Sequence, residues 1–370
     1  MNFGYTASQL AIRAQALELG RALPKPEAGA RSFAPEAWQQ LTHAGYTGLM
    51  LPEHAGGAAL SATDAAAALE ALATTCSDTG LLFSLGAHLC AGVVPLWQHG
   101  NAAQQELLHE VSKGRCIIAN AITESHSGGN AFALRTSAVK NANGYMLSGH
   151  KVFCTNAPLA QQFVVYALTD AQKGFFGGIS AFLLPREAVQ IGPALEKEAL
   201  LTSPAAELML NEVRTTDAAL LGKPGAGVSI FMQSMNWERT LLSALHCGTM
   251  QLLLNRCINY VKQRQTGNGT LAQHQAVQFK LADMAVDIET SRMLVYKAAT
   301  VIDAGKNANT AAVKAKIHTS EAFVRVASAA VQLHGGNGIT SAYQLTSFLA
   351  DAQAACIYSG PNEVLRGMLG

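Results

Sequence analysis

Apolar residues in the first hundred positions recur at the three- and four-residue spacing of a helix face. The pattern is clear at residues 8–17 and returns at 62–75 and 102–111, so about five helices are expected before residue 114. Pro24, Pro26, Pro35 and Pro52 punctuate them. Between residues 116 and 221 the period changes to two. Short alternating runs at 117–122, 136–140, 145–154, 163–167, 179–184 and 207–210 predict half-buried strands. Asn143-Gly144 lies between two of these runs and can supply the positive φ angles of a tight hairpin. After Gly222-Lys223-Pro224-Gly225 the helical spacing resumes, with candidate helices at 228–264, 276–304 and 311–333. Strands segregated from helices predict an α+β chain rather than an alternating one. The expected domains are helical at 1–116, β with mostly antiparallel connections at 117–225, and helical at 226–370. No internal repeat at a period of twenty to fifty residues interrupts this order.

Composition narrows the function classes. Of 370 residues, 49% are hydrophobic and 14% charged, against about 25% charged in an average globular protein. The excess apolar surface is expected in subunit contacts. A net charge of +1 without a Lys/Arg cluster leaves no electrostatic footprint for nucleic acid or an anionic membrane. Seven scattered cysteines, Cys76, Cys90, Cys116, Cys154, Cys247, Cys257 and Cys356, show no metal or redox spacing. They read as reduced thiols of a cytoplasmic protein, and no metal is expected. No secretory leader and no apolar run of transmembrane length is read from the chain.

Several segments carry candidate chemistry. Residues 122–130, ITESHSGGN, form a small-residue loop after a strand, able to approach a phosphate or a ring edge, or merely to turn tightly. Residues 149–156, GHKVFCTN, read alone as a strand with a core aromatic. Arg264, at a helix end, would ordinarily be a solvated charge. Residues 331–366 join a Gly-rich turn to a helix and then to a second Gly/Pro turn, Tyr358-Ser359-Gly360-Pro361. Glu238 shares a helical stripe with Met235, Leu241, Leu242 and Leu245, where a carboxylate is costly unless paired or functional. A structural ion pair with an arginine is the plain alternative.

Taken together, these segments resemble the acyl-CoA dehydrogenase flavoproteins in order and spacing. Thr123 and Gly128 match the family's Thr-Glu-Pro-x-x-Gly-Ser-Asp loop, with Gly129 where the family has serine. Residues 149–156 resemble Gly-x-Lys-x-Trp-Ile-Thr-Asn, whose aromatic and threonine, here Phe153 and Thr155, meet the flavin. Arg264, Leu271 and Gln275 match Arg-x-x-Phe-Gly-x-x-Leu-x-x-x-Gln, with Gly267-Asn268 replacing Phe-Gly. The loop glutamate that serves as base is absent, since Ser359 stands in its place. The isovaleryl-CoA and prolyl-carrier-protein branch takes its base instead from the helix, where this chain has Asn236-Trp237-Glu238-Arg239.

The resemblance implies an N-terminal helical domain, a middle β domain and a C-terminal four-helix bundle. FAD is the implied cofactor, held by Ile122, Thr123, Gly128, Gly129, Phe153, Cys154, Thr155, Arg264, Thr266, Gln275, Gln332, Gly335, Gly336, Pro361 and Glu363. Glu238 is the expected base, and the Ser359 N–H the expected donor to the thioester carbonyl. Asn236, Arg239 and Gly360 are expected at the substrate. The implied reaction is α,β-dehydrogenation of an acyl thioester on CoA or a carrier protein, in a specialised biosynthetic pathway. Electron-transfer flavoprotein or oxygen would be the electron acceptor, and a homodimer or homotetramer the assembly. The rivals are a flavin oxidase or monooxygenase, a reductase running the site in reverse, and a non-catalytic thioester-binding protein.

Overall fold

The computed structural model describes residues 4–267 and 269–370; Asn268, of the Gly267-Asn268 exchange, lies outside them. The N-terminal part is helical: α1 Ala7–Ala22, α2 Pro35–His43, α3 Ala62–Thr75, α4 Thr79–Ala87, α5 Val94–His99, α6 Ala102–Gln105 and α7 Leu107–Ser112. Local chemistry starts these helices. Thr6 and Gln9 form a capping box at α1. At α3, Ser61 caps the Asp64 N–H, and the Asp303 carboxylate accepts from the Ala62 and Thr63 N–H groups at 2.5 and 3.0 Å. The helix expected at 102–111 is broken at Glu106. Helix α4 runs into α5 through a wider π-helical stretch, His88–Val93, and Pro95, which brings no N–H to the preceding turn, lies just beyond it. Thr79–His99 is long and apolar enough to cross a membrane, but 83% of its most apolar stretch is buried inside the fold.

The β part contains β1 Ile118–Ala121, β2 Ser137–Asn141, β3 Gly144–Thr155, β4 Gln162–Leu168, β5 Ile179–Pro185, β6 Gln190–Ala194, β7 Ala205–Thr215 and β8 Leu220–Leu221. Their order is β6-β7-β3-β2-β4-β5-β8, with β1 parallel beside β4. The β2–β3 hairpin closes at the expected turn, pairing Asn141 with Gly144. Gly144 has a φ of 140°, and a Cβ there would lie 2.1 Å from the Thr215 carbonyl oxygen. Two strands escaped the sequence reading: β6 contains Gly192 and Pro193, and β8 has only two residues.

The C-terminal part is α8 Gly227–Gln263, the ribbon β9 Gln265–Thr266 and β10 Gly269–Thr270, then α9 Gln275–Asp303, α10 Asn309–His334, α11 Leu345–Ala355 and α12 Asn362–Gly367. Helix α8 packs against α3, α9 and α10, so it is buried on most of its circumference and reads as apolar nearly throughout. One core runs continuously through the N-terminal helices and this bundle, while a separate core fills the sheet. Both helical parts therefore meet at α8, which carries Glu238.

Candidate active site

Glu238 sits on α8 with 8% of its surface exposed. Its carboxylate accepts the Ser359 hydroxyl at 2.5 Å. Among the described residues no basic side chain lies within 4.0 Å of it, so the structural ion pair that the sequence left open does not form. Burial pushes the Glu238 carboxyl above the ordinary carboxylate range, against the opposing pull of the Ser359 hydrogen bond and the nearby Arg239 charge. A carboxylate that is dry, lightly tethered and raised toward neutrality suits a general base.

The loop after α11 presents Ser359 in an unusual way. Ser359 has a φ of 56° and Gly360 a φ of 99°, a reversal that a non-glycine residue tolerates only where its surroundings enforce it. Here they do. Lys316 is almost fully buried and donates to the Cys356 and Gly360 carbonyls at 3.2 and 2.7 Å and to Asn362 Oδ1 at 2.7 Å. Arg239 Nε donates to the Ser359 carbonyl at 3.1 Å, and Arg239 Nη1 to Asn309 Oδ1 at 3.2 Å. The Ser359 N–H makes no hydrogen bond among the described residues, so a donor is left free beside the base. Arg239, expected at the substrate, holds this loop through Nε and Nη1. Asn236, two residues before Glu238 on α8, is half-buried, and its Oδ1 has no partner among the described residues.

The second group of residues gathers where β3 leaves its ladder. Its pairing with β7 slips between Lys151 and Cys154, and the Val152 N–H turns to the Thr123 carbonyl at 2.9 Å. The resulting bulge gives Phe153 a φ of 56° and leaves its ring 69% exposed. An exposed aromatic in left-handed backbone is unusual packing and ordinary ring-stacking geometry. Thr155 follows, half-buried, whereas the Cys154 thiol faces the sheet core; only its main chain borders this site. Ile122 is buried, its carbonyl accepting from Lys151 Nζ at 3.1 Å. Gly128 and Gly129 are exposed, and a Cβ on Gly129 would stand 3.0 Å from Val364 of α12. This loop therefore borders Pro361 and Glu363.

A third group lies at the far end of the bundle. Arg264 ends α8, exposed and without an ion pair among the described residues. Thr266 meets His274 at 2.8 Å, and Gln275 opens α9. One turn before Arg264, Tyr260 stacks on His334 at 4.1 Å, next to Gln332, Gly335 and Gly336. From Glu238 to Arg264 the helix advances roughly 39 Å at 1.5 Å per residue. The structure thus brings the expected residues together in three groups, with the Arg264 group far along α8 from the other two.

Some residues important to the site were not singled out in the sequence. Glu124 and Lys151 form a buried ion pair at 2.8 Å, 3% and 0% exposed. Burial alone would raise the Glu124 carboxyl, but Lys151 and the Thr136 and Arg135 N–H groups outweigh it and bring it down to about 2. A charged residue in each of two adjoining apolar segments was the available signal. Ser127 Oγ is buried without a partner in the loop. His246 and Tyr358, bonded at 2.6 Å, share the wall of a small cavity, about 20 Å³, with Phe83 and Leu242. Leu242 and His246 lie one and two helical turns beyond Glu238.

The chain matches three family models: acyl-CoA dehydrogenase N-terminal domain at residues 6–115, middle domain at 119–213 and C-terminal domain at 225–370. It is 33% identical to an L-prolyl-[peptidyl-carrier protein] dehydrogenase of a Serratia species, over 91% of this chain and 88% of that one. The crystal structure of the prolyl acyl carrier protein oxidase AnaB superposes with a TM-score of 0.96 at 29% identity, over 99% and 98% of the two chains. Butyryl-CoA dehydrogenase from Megasphaera elsdenii superposes at 0.93 with 32% identity, over 100% and 99%.

Proposed function

We propose a reaction for this chain from one premise: it belongs to the acyl-CoA dehydrogenase family. It is an FAD-dependent oxidoreductase that converts an acyl thioester into its α,β-enoyl thioester, with Glu238 as the base. The acyl group is short and carried on a carrier protein, as in the Serratia L-prolyl-[peptidyl-carrier protein] dehydrogenase and the prolyl acyl carrier protein oxidase AnaB. The observation that carries this reading is the buried, cation-free Glu238 carboxylate beside the free Ser359 N–H. A base and a carbonyl donor are the two groups that α-proton removal requires.

The chain suits FAD. The exposed Phe153 ring, the orphaned Ser127 hydroxyl and the open loop at Gly128 form a surface fit for a ring system and its polar edges. Thr123, Phe153 and Thr155 would hold the flavin ring, while Arg264, Gln275, Gly335 and Gly336 would hold the diphosphate end, where a guanidinium fork suits phosphate oxygens. When bound, FAD supplies the two-electron acceptor for the β-hydrogen. The Ser359 N–H polarises the thioester carbonyl and acidifies Cα, and Glu238 takes the α-proton. Phe83, Leu242 and Tyr358 keep water from the carboxylate.

The two cofactor clusters lie at opposite ends of α8, so a second copy must bring its Arg264 end to the Phe153 end. Phe279, Val286 and Met293 support such a homo-oligomer. They are 59%, 65% and 50% exposed and recur every seven residues along α9, a continuous apolar stripe on one face. Val286→Asp should dissociate the assembly and release FAD together, measured by light scattering and flavin absorbance. A variant that stays assembled and yellow would remove this account.

The primary test is anaerobic. Short acyl and aminoacyl thioesters on carrier protein and on CoA are mixed with the holoprotein, and flavin absorbance is followed. Bleaching by a carrier-bound thioester is expected; oxidised flavin with every thioester would overturn the reading. The same assay reports the base. Because burial raises the Glu238 carboxyl and only its ionised form accepts a proton, reduction should accelerate as pH rises through that raised value. Ser359→Ala removes the hydroxyl that opposes the shift but keeps the N–H. Its acid limb should move to higher pH, because the ionised carboxylate loses a charge-assisted hydrogen bond. A limb that does not move would detach Ser359 from the base.

A further inference from the structure

The cavity beyond Glu238 is not purely apolar. Its wall carries His246, Asp351 and Thr79 beside Leu242, Phe83 and Tyr358. Asp351 accepts hydrogen bonds from the Thr79 hydroxyl and from the Leu200 N–H at 2.5 Å, so the fold meets most of its demand. His246 is different. With 7% of its surface exposed, it pairs Nε2 with the Tyr358 hydroxyl at 2.6 Å and stacks on Phe323 at 5.4 Å, yet its buried Nδ1 has no partner among the described residues.

The protonation pattern follows from the neighbours. Burial, aided by the Lys316 charge, lowers His246 to about 3, so the ring is neutral near pH 7 and carries a single N–H. Burial also keeps the Tyr358 phenol protonated. His246 Nε2 is the one acceptor that phenol meets among the described residues. With Tyr358 donating to Nε2, the imidazole proton is on Nδ1. A donor buried without an acceptor is costly, and substrate sites exploit that cost to reject analogues lacking the matching group.

We propose that His246 Nδ1–H is the specificity-determining donor of the acyl pocket. It selects acyl thioesters that carry a hydrogen-bond-accepting heteroatom, an uncharged amine nitrogen or a hydroxyl oxygen, over isosteric hydrocarbons. This rests on the proposed function, which makes the cavity the acyl pocket, and adds which atom reads the acyl group. Phe83 against Tyr358, with ring centroids 4.5 Å apart, supplies the apolar remainder of the wall. Neutral His246 gives no counter-charge to an ammonium, so the deprotonated amine is the form that fits.

The test is binding, which does not require turnover. In a Glu238→Gln holoprotein, calorimetry compares prolyl, 2-hydroxyacyl and cyclopentanecarbonyl thioesters of pantetheine. With His246 present, the prolyl or hydroxyacyl thioester should bind at least tenfold tighter than the hydrocarbon, and whichever does so identifies the heteroatom. His246→Leu should erase that preference by weakening the heteroatom thioester alone. His246→Asn, which can offer an amide N–H near the Nδ1 position, should restore part of it. Equal binding of all three, equal losses in the leucine variant, or no binding at all would overturn the proposal. Failure of the proposed reaction shows separately, as unbleached flavin in the unaltered protein.

Discussion

Glu238→Gln should bind FAD normally and lose flavin reduction by its thioester substrate by ~10²–10⁴-fold, the contribution of a positioned general base. The exchange preserves shape and leaves an amide that can still accept the Ser359 hydroxyl, so the loop and cavity stay in place. Only proton acceptance is removed. Rapid-mixing absorbance measures the loss, and the bound flavin's oxidised spectrum verifies the cofactor site. A Gln variant that reduces its flavin at the original rate would move the base elsewhere. Among the described residues no other carboxylate meets the Ser359 hydroxyl. Asp351, the acidic residue on the cavity wall, is already bonded to Thr79 and Leu200.

Lys151→Met should destabilise the protein by about 3–5 kcal/mol, the usual result of removing one partner of a buried ion pair. It leaves Glu124 3% exposed and facing the Arg135 and Thr136 N–H groups, with His126 Nε2 3.7 Å from its Oε2. In the intact protein the Glu124 carboxyl is held at about 2, below its ordinary 4.5, so it adds stability above about 4.5 that is lost as pH falls toward 2. Without Lys151 burial prevails and the carboxyl rises, so the variant's deficit should shrink as acid protonates Glu124. Denaturant midpoints at pH 7 and pH 5 would measure both effects. A second substitution, Glu124→Gln, should recover much of the loss. Because Lys151 also holds the Ile122 carbonyl at the cofactor loop, FAD retention should fall with stability. A deficit under about 1 kcal/mol would assign the pair to neither role.

Much of the architecture was legible because burial leaves a period. The half-buried strands alternate, and β3 begins where Asn143-Gly144 forces the chain to turn. The long helices α8, α9 and α10 were legible for the same reason, to within a few residues at their ends. The helix at 102–111 was misread as continuous because nothing in its pattern marks the break at Glu106. Strands β6 and β8 were missed because an exposed edge and a two-residue ladder carry no alternation.

The sequence by itself determined the order of domains, the segments that bear the chemistry, and the placement of a lone glutamate on the apolar stripe of a helix. These are local or periodic properties, written in neighbouring residues. Tertiary structure decided which groups meet across 100 residues and more. Ser359 reaches Glu238 from a loop 121 residues away, and Arg239 Nε reaches the Ser359 carbonyl across 120. Tyr358 meets His246 Nε2 from 112 residues away. A bulge, rather than a motif, turns Phe153 outward. Such contacts depend on the burial and hydrogen-bond satisfaction of the folded whole, and no spacing along the chain encodes them.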